Sequence, residues 1–354
     1  MNGVLIVDKP SGLTSHDVVN RVRRILQQKS VGHLGTLDPM ATGVLPLVVG
    51  NLTRLAQFYA QSEKTYEGTI RFGFATDTYD AEGEATTPAQ PVNLDRIQLE
   101  TLAAKFRGVI EQTPPAFSAK KINGVPAYKL ARKQKEVVLQ PVQVEIKEFE
   151  ILSVAEDHAT FRASVASGTY MRSVAHDLGR ELGCGAHLAS LRRTAAAEFK
   201  IADAHTLEQI EAAAKNAAAR NNAGSNNADG NNAKGKVDRN SENCHPDRSF
   251  PFPQEKESAV EGPCVTAVEE TILADLFVHP RQLLPQLPSV TADEATAARI
   301  RVGRTVNLLE LSRAPQVKVF ANQRDLIAIA TRIAGTLFHP KIVLCGTDAP
   351  VRRL

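Results

Sequence analysis

One short segment presents a single carboxylate in a rigid backbone setting. Asp38 lies in residues 32–45, GHLGTLDPMATGVL, with glycines on both sides and Pro39 directly after it. Proline fixes its own φ and biases the preceding residue away from the helical region. One fixed carboxylate suits nucleophilic catalysis better than metal binding, which requires several ligands. For an arbitrary Asp-Pro pair, however, a surface turn is the commoner explanation.

The elements before and after this segment are expected to hold it in place. An apolar run from Val4 to Val7, followed by a turn over residues 8–12, predicts a buried strand. Ser15 is a candidate cap for an amphipathic helix that begins near His16. A second helix is expected over residues 52–60.

Alternation of polar and apolar residues predicts strands in the middle of the chain. The stretch from Tyr66 to Phe72 has the period of a half-buried strand and leads into an acidic loop over residues 77–84. Further expected elements are a helix over 94–106, an extended lysine-rich arm over 112–140, strands over 142–146 and 161–165, and a helix from Tyr170 capped by Thr169.

The composition changes at about residue 212. Ala, Asn, Gly and Ser dominate residues 212–263, which lack the apolar residues of a core. This composition predicts a disordered insert or linker. Beyond it, a capping-box pattern begins at Thr291. Short strands expected over 317–320, 326–330 and 341–344 predict a small, β-rich, barrel-like domain.

The amino-acid composition limits the classes of protein to which the chain can belong. The chain has 354 residues, 43% of them hydrophobic and 23% charged, which favours roughly two soluble globular domains. The net charge of +3 is compatible with a polyanionic partner without establishing one. No apolar run has the length of a signal peptide or membrane span, so a cytoplasmic protein is expected. The cysteines at 184, 244, 264 and 345 form neither a CxxC pair nor zinc-finger spacing, and we expect reduced thiols.

Several separated blocks, taken in order, give a more specific indication. They are residues 5–15 (LIVDKPSGLTS), 32–45, 64–66 (KTY), 77–83 (DTYDAEG), 115–121 (PAFSAKK), 168–172 (GTYMR), 183–188 (GCGAHL) and 191–193 (LRR). Together they resemble the TruB-type pseudouridine synthases, the bacterial enzymes that isomerise uridine 55 in the T-loop of tRNA. The resemblance spans Gly3 to about Lys200 and, more weakly, Leu284 to the end.

The resemblance implies an α+β fold and a division into domains. The pseudouridine synthase catalytic fold would have a central mixed, mostly antiparallel sheet flanked by helices. It would occupy residues 1–211, with 112–140 as an RNA-gripping insertion. The linker over 212–263 is not part of the family pattern, and residues 280–354 would form a small β-rich, PUA-like RNA-binding domain.

The resemblance also implies roles for individual residues. Asp38 matches the catalytic aspartate, Tyr66 the active-site tyrosine, and Arg172 the arginine that pairs with the catalytic carboxylate. Asp80 matches an acidic residue that holds this arginine, and His33 matches a histidine that places the RNA and extrudes the base. Candidate RNA contacts are Lys120, Lys121 and Arg192.

The implied reaction breaks the bond from ribose C1′ to uracil N1, turns the base and joins C1′ to C5. It involves no redox change and loses no group, so no cofactor and no metal are expected. GxGxxG, Walker A and HExxH motifs are likewise missing from the sequence. Three routes stay open for Asp38: attack at C1′, removal of the C2′ proton, or attack at C6 of the base.

The implied partner is the T-stem-loop of tRNA, bound by a monomer that needs no protein partner and no membrane. Three alternatives are a catalytically idle RNA-binding protein, a guide-RNA-directed relative, and a hydrolase such as a glycosidase. The set of Asp38, Tyr66 and Arg172 argues against the first alternative, and the insertion over 112–140 argues against the second. The third requires a second carboxylate, for which Asp80 is the candidate.

Overall fold

The computed structural model describes residues 1–225 and 273–344, apart from positions 119, 123, 128, 129, 131, 132 and 134–138. A nine-stranded sheet and a five-stranded sheet carry the fold. The strands up to residue 200 are β1 (Gly3–Lys9), β2 (Val31–His33), β3 (Thr42–Val49), β4 (Lys64–Phe72), β5 (Gly108–Gln112), β6 (Lys121–Ile122), β7 (Val125–Pro126), β8 (Val142–Ala155), β9 (His158–Val165), β10 (Ala186–Ala196) and β11 (Phe199–Lys200). The helices are α1 (Ser15–Ile25), α2 (Ala56–Tyr59), α3 (Arg96–Lys105), α4 (Met171–Glu181), α5 (Leu207–Ser225) and α6 (Glu294–Arg301).

The large sheet has the strand order β1-β3-β10-β4-β9-β8-β5, with β2 beside β3 and β11 beside β10. All neighbours are antiparallel except β3 and β10, which run parallel where Gly43 lies opposite Arg193. A Cβ atom at Gly43 would lie 2.2 Å from the carbonyl oxygen of Arg193, and its φ is +98°, so only glycine fits here. The prediction of a mixed, mostly antiparallel sheet with flanking helices is confirmed.

The first strand is buried on both faces and separates two cores. Leu5 and Val7 pack into the core under the helices, whereas Val4 and Ile6 face the second sheet. Successive side chains of a strand point to opposite faces, so a continuous apolar run marks a strand covered on both sides.

The second sheet consists of β12 (Ser289–Thr291), β13 (Val306–Asn307), β14 (Gln316–Phe320), β15 (Leu326–Ala334) and β16 (Leu337–Val343). Its order is β12-β14-β15-β16-β13, and within the residues described no pairing joins β12 to β13. The prediction of a β-rich region is confirmed, but the sheet is open rather than a closed barrel.

The second sheet is fixed to the first by a shared core and by polar contacts. Glu198 accepts a hydrogen bond from the Tyr59 hydroxyl at 2.6 Å and from the Leu284 backbone N–H at 2.8 Å. Arg54 donates to the carbonyl oxygen of Val343 at 2.6 Å. The apolar members of this core include Phe320, Ile329 and Ile342 of the second sheet.

The predicted capping residues of three helices were wrong. Thr14, rather than Ser15, caps α1, in a capping box with Asp17. Tyr170, rather than Thr169, precedes α4, and its N–H is bound by the side chain of Gln112 at 2.8 Å. Asp293, rather than Thr291, caps α6.

Two predicted segments also differ in extent from what the structure shows. The helix expected over 52–60 is a 3-10 segment, Gly50–Leu55, followed by the single turn of α2. The linker expected over 212–263 overlaps α5, which ends at Ser225 and buries Ala217 against the first core. The remainder of that linker lies outside the described residues, as do three of the four cysteines, and Cys184 is a free thiol.

Candidate active site

The backbone of the loop over residues 35–41 is held by three side chains from outside it. The first is Arg193 of β10, which is 1% exposed. Its guanidinium donates to the carbonyl oxygens of Gly35 at 3.0 Å and Thr36 at 3.3 Å. A fully buried arginine therefore fixes the start of the loop.

The other two side chains fix the centre and the end of the loop. The Ser15 hydroxyl donates to the Leu37 carbonyl at 3.0 Å and accepts from the Leu37 N–H at 2.8 Å. The ammonium of Lys9, which is fully buried, donates to the carbonyl oxygens of Pro39 at 3.0 Å and Ala41 at 2.7 Å. Sequence reasoning missed the Lys9 role and gave Ser15 a different one, although both lie in the block over residues 5–15.

The carboxylate that this loop presents is paired with an arginine. Nε of Arg172 lies 2.9 Å from Oδ2 of Asp38, and Nη2 donates to Oδ1 at 3.1 Å. Arg172 lies in the first turn of α4 and is 5% exposed, whereas the Asp38 side chain is 34% exposed. The arginine is thus buried behind the carboxylate, which keeps one side open to solvent.

A second carboxylate holds the same guanidinium. Nη1 of Arg172 lies 3.4 Å from Oδ2 of Asp80, which is 2% exposed, and donates to the Thr78 carbonyl at 3.3 Å. The Thr78 hydroxyl and the Glu82 N–H both donate to Oδ1 of Asp80. These bonds orient Asp80 toward the arginine.

The charges around Asp38 act in opposite directions. Burial raises the pKa of the Asp38 carboxyl, Arg172 opposes this increase, and the negative charge of Asp80 reinforces it. Burial, with Asp80 and Asp38 nearby, also raises the pKa of Glu82. Burial lowers the pKa of Lys9 to about 8, against the opposing charge of Asp38. Arg172 and Lys9 are therefore the cations that favour an ionised Asp38.

Two tyrosines neighbour residues that hold the loop or the arginine. Tyr66 is 8% exposed on β4 and lies opposite Arg193 of β10. Tyr170 directly precedes α4, and burial raises the pKa of its phenol, on which the charges of Arg172 and Asp38 also act. Sequence reasoning named Tyr66 as a site residue but not Tyr170, although the GTYMR block contains it.

The Tyr170 backbone is held by a side chain from β5. The Gln112 amide accepts from the Tyr170 N–H at 2.8 Å and donates to its carbonyl at 3.1 Å. Gln112 is 1% exposed. The start of the 112–140 arm is thereby joined to the start of α4, and the carbonyl of Phe117 in that arm accepts from Arg172 at 3.0 Å.

The remaining predicted RNA contacts are Arg192, Lys120, Lys121 and His33. Arg192 is bound at two points by Asp8, at 3.1 and 2.8 Å. Lys120 is exposed on the arm, and the side chain of Lys121 lies outside the described residues. Nδ1 of His33 accepts from the Gly35 N–H at 3.4 Å, and burial lowers the pKa of this imidazole.

Neither a metal site nor a membrane helix is found in the described part of the chain. No three His, Cys, Asp or Glu side chains there are placed to hold a metal ion. No helix there combines the length and apolar character needed to cross a bilayer.

Comparison with known proteins gives two family matches. The model of the TruB family pseudouridylate synthase N-terminal domain matches residues 23–171. The model of the tRNA pseudouridylate synthase B C-terminal domain matches residues 172–225, which contain α4 except its first residue, β10 and α5. Together the two matches cover more than half of the chain.

Individual relatives and solved structures agree with these matches. The chain is 44% identical to tRNA pseudouridine synthase B of Solibacter usitatus (strain Ellin6076) over 347 residues, covering 97% of this chain and 100% of that protein. It is 50% identical to the protein of that name from Opitutus terrae (strain DSM 11246 / JCM 15787 / PB90-1) over 214 residues, covering 60% and 88%.

A solved archaeal box H/ACA sRNP Nop10-Cbf5 complex contains a chain that aligns with a TM-score of 0.61 and 21% identity, covering 98% of this chain and 87% of that one. At that identity the likeness shows the fold alone. The nearly full-length match at 44% identity also shows the family. This chain belongs to the TruB family of pseudouridylate synthases.

Proposed function

We propose that this enzyme isomerises uridine 55 in the T-loop of tRNA to pseudouridine, with Asp38 as the catalytic carboxylate. The observation that carries the proposal is the contact of Asp38 with the buried guanidinium of Arg172. The names of the relatives support tRNA as the substrate.

The reaction needs a carboxylate beside the ribose of the target nucleotide. The C1′–N1 bond breaks, the uracil turns, and C1′ joins C5; C5 then loses its proton and N1 gains one. Asp38 can serve by attacking C1′ or C6 or by removing the C2′ proton, and each route requires the ionised form. Arg172 stays protonated and binds a carboxylate at two points, so it favours that form.

The target base must leave the RNA stack to reach Asp38, at a cost of a few kcal/mol that contacts in the site offset. Tyr66 offers an aromatic face for the extruded uracil and a phenol for the C5 proton. The partly exposed side of Asp38 provides the approach for the ribose.

RNA binding involves the C-terminal sheet and the 112–140 arm. The C-terminal sheet is a PUA-like RNA-binding domain, held at a fixed position because it shares a core with β1 and β3. The chain acts alone, without a guide RNA or protein partner, because the arm over 112–140 reaches the ion pair from the same chain.

The test is an assay with the purified chain alone. An unmodified tRNA transcript is incubated with the enzyme, treated with carbodiimide and mapped by primer extension. We expect a single stop of the reverse transcriptase that reports pseudouridine at position 55. A transcript with cytidine at that position should give no stop. Binding without any isomerisation would support the idle RNA-binding alternative, and a stop elsewhere would overturn the assignment of the site.

A further inference from the structure

A small cavity lies beside the loop that carries Asp38. Its volume is about 170 Å³. Its lining residues include His33, Gly35, Lys64 and Ser167, together with apolar residues at and after α2. Of the roles described above, only the one that the family resemblance implies for His33 concerns this cavity.

Lys64 brings an unpaired positive charge to the cavity. The residue is 8% exposed, and its ammonium donates to the Ser62 carbonyl at 2.5 Å. An ammonium has three N–H donors, so two are left without an acceptor among the described residues. No carboxylate of the described chain lies within ion-pair distance of Lys64.

A second buried cation lies next to the first. Arg193 is bound to backbone carbonyls and has no ion-pair partner in the described ranges. A Cβ atom placed on Gly35 would lie 3.5 Å from Nη1 of Arg193 and 3.8 Å from Cε of Lys64. Both cations therefore flank the same loop residue, without a negative charge to compensate them.

Two buried, uncompensated charges are costly, because buried charges in proteins are normally paired. Burial and the neighbouring Arg193 lower the pKa of Lys64 to about 8, so the amine is still mainly protonated at pH 7. A bound anion would supply the missing charge and accept the two free N–H donors.

His33, which also lines the cavity, adds a neutral donor. Since Nδ1 of His33 accepts from the Gly35 N–H, the neutral ring carries its proton on Nε2. Burial and Arg193 lower the pKa of His33, which favours the neutral ring. The His33 ring therefore brings no negative charge that would compete with an anion for Lys64.

We propose that this cavity binds a phosphodiester group of the RNA strand that contains the target uridine, with Lys64 as its main cation. This inference rests on the proposed function. Gly35 precedes Asp38 by three residues, which limits their Cα separation to about 11 Å. A nucleotide at Asp38 therefore brings the phosphates of its neighbours close to the cavity, and lysine is a suitable phosphate contact.

The first experiment compares Lys64→Met with Lys105→Met, which removes an exposed lysine on α3, outside the cavity. Binding of a T-stem-loop RNA is measured over a series of salt concentrations. For Lys64→Met we expect roughly tenfold weaker binding. The slope of log K against log salt should be shallower by about 0.7 to 0.9, as for one lost phosphate contact. Lys105→Met and the charge-retaining Lys64→Arg should keep the wild-type slope.

The second experiment locates the phosphate. Single neutral methylphosphonate linkages are introduced one at a time near the target uridine. One linkage should weaken binding to the wild type but not to Lys64→Met. The effects of the linkage and of the substitution would then be non-additive, as expected for two groups in contact. Equal costs at every linkage in both proteins would overturn the inference. So would competition by inorganic phosphate with no linkage coupled to Lys64, which would assign the cavity to a free anion.

Two controls keep the result interpretable. Circular dichroism melts establish that Lys64→Met is folded; if it is not, the linkage series on the wild type decides, and the absence of any sensitive linkage overturns the inference. Pseudouridine formation by the wild type is measured separately. If the wild type isomerises uridine 55 and no linkage couples to Lys64, this inference fails and the proposed function stands.

Discussion

Arg172 contacts Asp38 through two of its nitrogen atoms, with Nε 2.9 Å from Oδ2 and Nη2 3.1 Å from Oδ1. The third nitrogen is directed toward Asp80. One buried guanidinium therefore links the carboxylate of a loop to a second carboxylate that is almost completely buried. Loss of Arg172 and loss of Asp80 should therefore shift the pKa of Asp38 in opposite directions.

Removal of the arginine should move the acidic limb of the pH–rate profile to higher pH. Activity requires ionised Asp38 and falls as the pH drops through its pKa. Arg172 lowers that pKa, so Arg172→Gln raises it. The measurement is the single-turnover rate of pseudouridine formation between pH 5 and 9. Arg172→Lys is the control: it keeps the charge but not the two-point contact, so the rate should fall with a smaller shift of the limb.

Neutralisation of the second carboxylate should have the opposite effect. The charge of Asp80 raises the pKa of Asp38, so Asp80→Asn lowers it and moves the acidic limb to lower pH. We expect the rate at neutral pH to fall roughly tenfold, as for one lost positioning contact worth about 1.4 kcal/mol. Asp77→Asn, in the same loop but bound to the Glu84 N–H, is the matched control. A limb that moves upward in Asp80→Asn would contradict this electrostatic account.

Support of the loop by Lys9 should affect the chemical step. Lys9→Met removes the ammonium that donates to the Ala41 carbonyl and one of the two donors to the Pro39 carbonyl, which keeps the Gly12 N–H. We expect a cost of about 1 to 3 kcal/mol in the free energy of unfolding. Displacement of Asp38 should lower the single-turnover rate more than it lowers RNA affinity. The measurements are urea unfolding, single-turnover kinetics and RNA binding, with Lys105→Met as the control. An unchanged rate would show that the loop does not need this support.

The hydrogen bonds of Glu198 give a prediction about stability. Tyr59→Phe removes the hydroxyl that donates to Glu198 and should lower the free energy of unfolding by about 1 to 3 kcal/mol. Tyr79→Phe, whose hydroxyl has no hydrogen-bond partner among the residues described, is the control. Unfolding midpoints in urea give the stability of both variants. Equal midpoints for both variants would contradict a structural role for the Glu198 contact.

The sequence predicted the strands well because their side-chain periods are local. The apolar run from Val4 to Val7 and the alternation from Tyr66 to Phe72 both lie in strands of the large sheet. The family resemblance predicted the mixed sheet, which no local period specifies. Helix starts were less predictable, because Ser15 and Tyr170 form their bonds with residues distant in sequence, Leu37 and Gln112.

The site was predictable only in part. The motif blocks named Asp38, Asp80 and Arg172, which the fold brings together from three separate segments. They did not predict that Lys9 and Arg193 would bind the loop from behind, because both bonds depend on the pairing of β1, β3 and β10. The unpaired charge of Lys64 was also not predictable from the sequence. It depends on the folded arrangement, in which no described carboxylate lies within ion-pair distance of the ammonium.

The central claim is that Asp38 is the catalytic carboxylate, and Asp38→Asn tests it most directly. The measurement is single-turnover pseudouridine formation at position 55 with saturating enzyme, together with RNA affinity; Asp203→Asn, an exposed carboxylate outside the site, is the control. We predict no detectable product from Asp38→Asn, with RNA affinity close to that of the wild type and full activity in Asp203→Asn. Product formation by Asp38→Asn at a rate near that of the wild type would contradict the account.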